Sequence, residues 1–305
     1  MTCTNGKCKV LSLILLLLFT TVMLNVITVI ALFNVVMMGS PFRTEGTGDH
    51  YVIFCHGVGG TSNDFVNLKK GFDLKRFTLI FQGFINDNRM VTSYHNIDQS
   101  IVELVNEIDR IIKNGGKNKQ SKKIKMSVIG HSFGGLYAKL LIHKINQIDV
   151  IDENVKLVNF INFATPHYGI IGSSQYDNFK IWILPVILNE IGEYLITPPN
   201  NSTNHVIERF ENKINYVNAH LDPLIPFWSG SMKLNETSLD YVNIKEYETN
   251  MSMIKWRTFT VPLLLHSFLN HGNIIGKYLD KSRKHGDDNF NNIEKILDHF
   301  NKWFV

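Results

Sequence analysis

Cysteine is scarce in this sequence: its 305 residues contain only three, Cys3, Cys8 and Cys55. So few cysteines do not indicate a disulfide framework. Cys3 and Cys8 precede a long apolar run and are candidate palmitoylation sites. Cys55 lies in an apolar strand pattern, which predicts a small, buried hydrophobic residue.

The chain also lacks a strong charge imbalance. Its formal net charge is +4 at pH 7, and the lysines between positions 113 and 125 supply much of it. No aromatic residues alternate with these lysines, so the stretch is interpreted as a solvated loop. The sequence therefore gives no reason to expect a nucleic-acid partner.

Charged residues are absent from Val10 to Gly39, where Leu, Ile, Val, Phe and Met dominate. The run exceeds the roughly 20 residues that span a bilayer. It predicts a retained transmembrane signal anchor, with a cleaved signal peptide as the alternative. Lys7 and Lys9 precede the run and Arg43 follows it. This bias favours a cytosolic N-terminus and a lumenal domain in the endomembrane system, with the cytosolic face as the alternative.

The sequence predicts one domain behind this single membrane span. The predicted division is a tail at 1–9, the anchor at 10–39, a linker at 40–48 and a domain at 49–305. A cap or lid insertion is expected near 170–205. Its apolar stretch 179–196 is either a lid that contacts acyl chains or the bilayer, or a buried pair of cap helices broken at Pro185.

Short apolar runs alternate with amphipathic patterns along this domain. Strands are predicted at 51–55, 78–83, 124–129, 155–164, 213–220 and 256–265, and helices at 97–112, 133–145 and 291–304. Several of the strands are apolar without strict alternation, as expected when helices cover both faces of a sheet. The pattern predicts an α/β fold with a mostly parallel central sheet flanked by helices.

Ser132 is the candidate nucleophile. The residues Gly130-His131-Ser132-Phe133-Gly134 fit G-x-S-x-G, a short pattern that is weak evidence alone. Its context is more specific, because the serine directly follows a predicted strand and directly precedes a predicted helix. Its hydroxyl would then project at the carboxyl edge of the sheet, where ligands bind in such folds. His131 is predicted to point away from Ser132.

Two backbone amides are candidates for an oxyanion hole. The first predicted strand of the domain ends in "FCHGVGG" (54–60), whose three glycines expose backbone N–H groups. The N–H of Val58, together with the N–H of Phe133 after the nucleophile, would stabilise an oxyanion. The alternative for His56-Gly57 is a simple turn after the strand.

The acid and the base should follow the serine in that order. Asp222 lies just past a predicted strand, whereas Asp240 and Asp280 have no comparable strand before them. The late histidines are His220, His266, His271, His285 and His299. From the residues alone, His271 in a polar turn and His266 at the end of an apolar run both remain candidates.

These motifs resemble those of the serine esterase family of lipase-like proteins (DUF676), which are α/β hydrolases of eukaryotes. The likeness runs from about Tyr51 to Phe300. "VIFCHGVGGTSNDF" resembles the family's opening strand and HG loop, and "KMSVIGHSFGGLYAKLLI" resembles its elbow, with Phe133 in place of the common Leu. "FINFATPHYG" is similar to the signature F-x-T-F-A-T-P-H-L-G and is the most specific match.

The resemblance also bears on the acid, the base and the reaction. "FENKINYVNAHLDPLIPFWSGSM" and "NHGNIIGK" resemble the segments that carry the acid and the base, which implies Asp222 and, in preference to His266, His271. It implies an α/β-hydrolase fold and a Ser-His-Asp triad that needs no metal or organic cofactor. The expected function is a membrane-anchored lipase or esterase that cleaves a lipid ester, with no obligate protein partner. The alternatives are a thioesterase, an acyltransferase or a non-catalytic membrane scaffold.

Overall fold

The computed structural model describes residues 43–83, 97–116, 124–147, 155–171, 181, 184, 190–198, 204–219, 222, 224–232, 244–251, 254–261, 263, 270–277, 279 and 290–305. None of the helices within these residues is both long and apolar enough to cross a bilayer. The anchor predicted at 10–39 lies outside them, as do residues 117–123 of the stretch 113–125 that was predicted to be a solvated loop. The loop prediction is wrong at both ends of that stretch, because residues 113–116 belong to the helix Ile97–Gly116 and residues 124–125 begin the strand Ile124–His131.

An eight-stranded sheet forms the centre of the described structure. Its strands are β1 (Arg43–Gly46), β2 (His50–Cys55), β3 (Phe77–Phe81), β4 (Ile124–His131), β5 (Val155–Phe163), β6 (Asn212–Asn218), β7 (Lys245–Met251) and β8 (Ile254–Val261). They lie in the order β1-β3-β2-β4-β5-β6-β8-β7. The six inner strands run parallel, and β1 and β7 pair antiparallel at the two edges. The predicted mostly parallel sheet is therefore confirmed.

Helices cover both faces of this sheet. They are α1 (Ile97–Gly116), α2 (Phe133–Gln147), α3 (Glu190–Ile196), α4 (Asn204–Glu208), α5 (Phe227–Ser231), α6 (Asn270–Asn273) and α7 (Phe290–Asn301). Buried residues of α1, α2 and α3 share one hydrophobic cluster, and those of α7 belong to the other. The flanking helices predicted from sequence are confirmed.

Strand β2 illustrates why the inner strands show no alternation in sequence. All six of its residues are buried. Val52 and Phe54 pack in the cluster that contains α7, whereas Ile53 and Cys55 pack in the cluster that contains α1 and α2. Cys55 is buried as predicted, and burial raises the pKa of its thiol far above its ordinary value.

Helix α1 forms because apolar residues recur at helical spacing, which gives it one buried stripe. Ile101, Leu104, Val105 and Ile108 are all buried against the sheet cluster. A carboxylate oxygen of Glu190 accepts a hydrogen bond at 2.8 Å from the N–H of Ile97, the first residue of the helix. This contact satisfies one of the N–H groups that the first helical turn leaves unpaired.

The structure differs from the sequence-based expectation at the two edge strands of the sheet. The linker predicted at 40–48 contains strand β1, which pairs with β3, so the interval is partly a component of the sheet. Strand β7 was not predicted either.

Within the stretch 179–196, which was predicted to be a lid or a buried pair of cap helices, residues 190–196 form α3, whose Ile191 and Leu195 are buried against the core. Pro185 lies outside the described residues.

Candidate active site

Ser132 lies in a sharp turn between β4 and α2. Its φ of 56° is left-handed, which is uncommon for a residue other than glycine. Such a backbone conformation costs of order 1–3 kcal/mol and persists only where surrounding contacts hold it. The N–H of Ser132 donates to the carbonyl of Phe163 at 2.8 Å, and the carbonyl of Ser132 accepts from the N–H of Gly135 at 3.0 Å. Both neighbours therefore hold the serine in this turn.

The start of α2 packs directly on the end of β2. A Cβ atom on Gly134 would lie 2.0 Å from the carbonyl oxygen of Cys55 and 2.6 Å from that of His56. Backbone oxygens of an inner strand cannot move aside, so only glycine fits. This close approach brings the loop after β2 next to Ser132. A Cβ atom on Gly57 would lie 2.8 Å from the Cβ of Ser132 and 3.3 Å from its Oγ.

The loop after β2 holds the peptide bond between Gly57 and Val58 in one orientation. The carbonyl of Gly57 accepts from Nδ1 of His56 and from the N–H of Gly60, both at 3.0 Å. Because the peptide is planar, the N–H of Val58 points away from that fixed carbonyl. The N–H of Phe133 opens α2 and so has no intrahelical acceptor. These are the two amides that the sequence predicts as oxyanion donors.

His271 and Asp222 form a hydrogen-bonded pair. Nδ1 of His271 donates to Oδ2 of Asp222 at 2.7 Å, and the two side chains are 9% and 5% exposed. The other carboxylate oxygen of Asp222 accepts from the N–H groups of Leu224 and Ile225 at 2.8 and 3.0 Å. A carboxylate can only accept, so Nδ1 of His271 carries the proton and Nε2 of the neutral ring is left as a base.

Three contacts with other parts of the chain hold the segment that carries His271. Nε2 of His131 donates to the carbonyl of His271 at 2.8 Å, and the two rings lie 4.9 Å apart between centroids. Nδ2 of Asn67 donates to the carbonyl of Gly276 at 2.6 Å. Nζ of Lys277 donates to Oδ2 of Asp64 at 2.8 Å. None of these contacts was predicted from the sequence, because each joins segments that are distant along the chain and have no local pattern of their own.

Burial sets the charge of His131 itself. It lowers the pKa of the imidazole well below its ordinary value, and the neighbouring His271 lowers it further. His131 is therefore neutral near pH 7, and Nε2 carries its single ring proton because the carbonyl of His271 can only accept. A neutral donor at this position adds no charge beside the pair formed by His271 and Asp222.

The "FINFATPHYG" segment supports the elbow from the neighbouring strand. It supplies the carbonyl of Phe163 that binds the N–H of Ser132. Ala164 follows with a left-handed φ of 45°. His167 is 1% exposed, and its Nε2 lies 3.3 Å from Oδ1 of Asn215. Burial lowers the pKa of this imidazole well below its ordinary value, so its surroundings are those of a structural residue.

Ser132, His271, Asp222 and the loop after β2 all lie beyond the carboxyl ends of parallel strands, and ligands bind at this edge of such sheets. Within the described residues, no hydrogen bond joins Oγ of Ser132 to the ring of His271. Contacts of this kind are often long before substrate binds and shorten in the complex.

The other histidine candidates His220, His266 and His285 lie outside the described residues. His299 contacts Tyr216 through Nδ1 at 2.9 Å, on the face covered by α7.

A separate cleft of about 590 Å³ lies where the start of α1 meets α3. Asp98, Glu190, Glu193 and Tyr194 are among its lining residues. It contains none of the residues of the candidate active site.

Residues 45–197 match the protein family described as "Putative serine esterase (DUF676)". The matched range contains the loop at 54–60, Ser132 and the "FINFATPHYG" segment. It is shorter than the likeness seen in the sequence, and it ends before Asp222 and His271. The choice of acid and base therefore rests on the geometry rather than on the family match.

Several solved structures are similar in fold at low identity. A bromoperoxidase from Bacillus anthracis is 8% identical, with 63% of this chain and 81% of that chain covered and a TM-score of 0.38. A structure from work on LipS and LipT, two metagenome-derived lipolytic enzymes, is 10% identical, with 63% and 80% covered and a TM-score of 0.41. One from work on carboxylesterases of Nitrososphaera gargenis is 11% identical, with 60% and 77% covered and a TM-score of 0.37.

No curated protein sequence matches the chain. The activity follows from the family match instead, which spans half of the 305 residues. This protein belongs to the DUF676 serine esterase family and is a serine hydrolase of carboxylic esters.

Proposed function

We propose that the protein is a membrane-anchored lipase or esterase that cleaves carboxylic esters of lipids through Ser132, His271 and Asp222. One observation carries the assignment of residues. A serine in a left-handed turn between strand and helix shares a sheet edge with a buried His–Asp pair whose free ring nitrogen can act as a base. A nucleophile, a base and an orienting acid are the three parts that acyl transfer by a serine requires.

The first half of the proposed reaction forms an acyl-enzyme. Oγ of Ser132 attacks the acyl carbon of the ester while Nε2 of His271 takes the hydroxyl proton. Asp222 accepts a hydrogen bond from Nδ1 of His271 throughout the reaction. This hydrogen bond keeps the ring in the productive tautomer and stabilises the imidazolium. The N–H groups of Val58 and Phe133 stabilise the oxyanion, and one such donor is typically worth about 10²–10³ in rate. The imidazolium then gives its proton to the departing alcohol.

The second half regenerates the enzyme. Water attacks the acyl carbon, His271 accepts one of its protons, and the oxyanion again lies beside the N–H groups of Val58 and Phe133. Collapse of this intermediate releases the carboxylic acid and returns the proton to Oγ of Ser132. Every step uses groups of this chain together with ester and water.

A lipid-like ester is supported by exposed apolar side chains in and beside the segment that follows the acid. Leu224, two residues beyond Asp222, is 58% exposed. Tyr168 is 36% exposed, and its ring stacks on Trp228 of α5 at 6.3 Å between centroids. Apolar surface beside a polar catalytic group suits a substrate with an acyl chain.

The anchor at 10–39 would hold the domain close to a bilayer. Only residues 40–42 separate the apolar run from β1. Three extended residues span at most about 10 Å, so an anchored domain would remain near the lipid surface. The proposed orientation has the N-terminus in the cytosol and the hydrolase in the lumen.

N-glycosylation tests this orientation. Sequons occur at Asn200, Asn201, Asn235 and Asn250, and Asn250 is exposed on β7. A lumenal domain should lose apparent mass when protein from its native cells is treated with a glycosidase. Unchanged mobility, together with digestion by protease added to intact microsomes, would assign the domain to the cytosolic face.

Hydrolysis assays with purified wild type and Ser132→Ala test the reaction itself. The substrates are a monoacylglycerol, p-nitrophenyl butyrate and an acyl-CoA thioester. We expect turnover of both oxygen esters by wild type only. Preference for the thioester would favour the alternative of a thioesterase, and equal rates for both proteins would favour a non-catalytic scaffold.

A further inference from the structure

An ion pair joins the segment that carries His271 to the turn that follows the loop after β2. Nζ of Lys277 lies 2.8 Å from Oδ2 of Asp64, although 213 residues separate them along the chain. The side chain of Asp64 is 8% exposed and that of Lys277 is 26% exposed. A partly buried pair of this kind is screened by salt less than a fully exposed surface pair.

Asp64 belongs to the structure that holds the loop after β2 (residues 56–60), which carries the proposed donor Val58 and is called the oxyanion loop. It lies in the 3₁₀ turn Ser62–Phe65, directly after that loop. A Cβ atom on Gly60 would lie 2.6 Å from Oδ2 of Asp64, so the carboxylate packs against the backbone of Gly60. Gly60 in turn donates to the carbonyl of Gly57, the bond that orients the N–H of Val58. The position of the Asp64 carboxylate is thus linked by direct contacts to the proposed oxyanion donor.

Lys277 belongs to the structure that holds the base. Its N–H donates to the carbonyl of Gly272 at 3.1 Å, one residue beyond His271. Asn67, which closely follows the turn of Asp64, binds the carbonyl of Gly276 in the same segment. The segment from His271 to Lys277 is therefore fixed from the side of the oxyanion loop as well as by His131.

We propose that Asp64 and Lys277 are positioning residues that set the distance between the oxyanion donor at Val58 and the base His271. The proposal rests on the proposed function, because it assigns these two residues a purpose only if Val58 and His271 act in catalysis. Neither residue touches the reacting atoms. A shift of about 1 Å between catalytic groups can lower the rate by about 100-fold, which is the sensitivity on which such a role depends.

The test compares Lys277→Met, Lys277→Arg, Asp64→Asn and the double variant Asp64→Asn/Lys277→Met in the full-length protein. Lys69→Met is the matched control, because Lys69 forms a pair of similar exposure with Glu45 at the β1 edge of the sheet. The measurements are kcat and KM for p-nitrophenyl butyrate and the rate at which a fluorophosphonate labels the protein. Each variant is assayed well below its own melting temperature, so that only folded protein contributes.

We expect Lys277→Met and Asp64→Asn to lower kcat and the labelling rate by about 10- to 100-fold with little change in KM. The double variant should be about as slow as the single variants, and no slower, because the residues act as a unit. Lys277→Arg should recover most of the rate, and Lys69→Met should keep wild-type kcat.

The double variant separates positioning from simple stability. Removing both charges relieves the unpaired buried group, so a merely structural pair would give a double variant with near-wild-type kcat, and that result overturns the proposal. If Lys277→Met does not fold, the double variant and Asp64→Asn decide alone. Wild type that shows no Ser132-dependent turnover would instead overturn the proposed function. Wild-type turnover with unaffected variants would overturn only the role of the pair.

Discussion

Nδ1 of His271 lies 2.7 Å from Oδ2 of Asp222, although 49 residues separate the two along the chain. The carboxylate determines which ring nitrogen carries the proton, and so leaves Nε2 unprotonated in the neutral ring. Both oxygens of Asp222 are engaged, since Leu224 and Ile225 donate to the second one. The acid is therefore held by its own turn before it holds the histidine.

Asp222→Asn should inactivate the enzyme without unfolding it. The amide can keep the contacts of the turn, but it can also donate to Nδ1 and so select the wrong tautomer. We expect kcat to fall by about 10³- to 10⁴-fold with a similar melting temperature. Asp109→Asn, which alters an exposed pair with Lys113 on α1, serves as the control and should keep full activity. Retention of more than a tenth of wild-type kcat in Asp222→Asn would argue against its role.

His271→Ala should be as inactive as Ser132→Ala, and the double variant should be no worse than either. This follows because members of a catalytic unit are not additive in their effects on rate. His266→Ala is the comparison, since His266 was the alternative base in the sequence, and we expect it to keep much of its activity. Loss of activity in His266→Ala with retention in His271→Ala would reverse the assignment.

Gly134→Ala and Gly57→Ala should fail in different ways. A Cβ atom on Gly134 would lie 2.0 Å from a backbone oxygen of β2, which we expect to reduce the free energy of unfolding by about 1–3 kcal/mol or more. A Cβ atom on Gly57 would contact Ser132, and we expect it to reduce activity more than stability. Urea unfolding and ester hydrolysis separate the two effects. Equal stability of the two variants would contradict this account of the elbow.

Much of the central sheet could be predicted, because the inner strands are apolar runs flanked by turn residues. The edge strands were missed for a physical reason. β1 (RTEG) and β7 (KEYETNM) are short or rich in charge, since an edge strand needs fewer buried side chains and gains from charged ones. Their pairing depends on the neighbouring strand rather than on a pattern of their own.

The candidate nucleophile and oxyanion loop could be found in the sequence because each is a local motif. Asp222 and His271 were harder to identify from the sequence, because the contact between them forms only when two loops that are distant along the chain come together. The ion pair of Asp64 and Lys277 could not be predicted from the sequence, because neither residue is part of a recognisable motif in its own segment. Only the folded chain brings them within 2.8 Å.

Acid should destabilise the protein through its buried histidines. Burial lowers the pKa of His50 to about 4, and it lowers the pKa of His56, His131 and His167 as well. In the unfolded chain a histidine titrates near 6.5, so below that pH the unfolded state binds more protons than the folded state. Their contribution to stability is therefore complete above about pH 6.5 and is lost progressively as the pH falls below that value.

Melting temperatures measured between pH 7.5 and 4.5 check this. We expect a steady fall below about pH 6.5, and a shallower fall in His50→Gln, whose amide can still bond to Oγ of Ser127. A wild-type melting temperature that stays constant down to pH 5 would contradict the assignment of neutral, buried histidines.

The central claim is that Ser132 is the nucleophile, and mass spectrometry of the phosphonylated protein tests it most directly. Wild type and Ser132→Ala are each incubated with a fluorophosphonate, digested and mapped. We predict one adduct on wild type, on the peptide that contains Ser132, and none on Ser132→Ala at the same folded concentration. An adduct on another residue, or a folded wild type that is not labelled at all, would contradict the account.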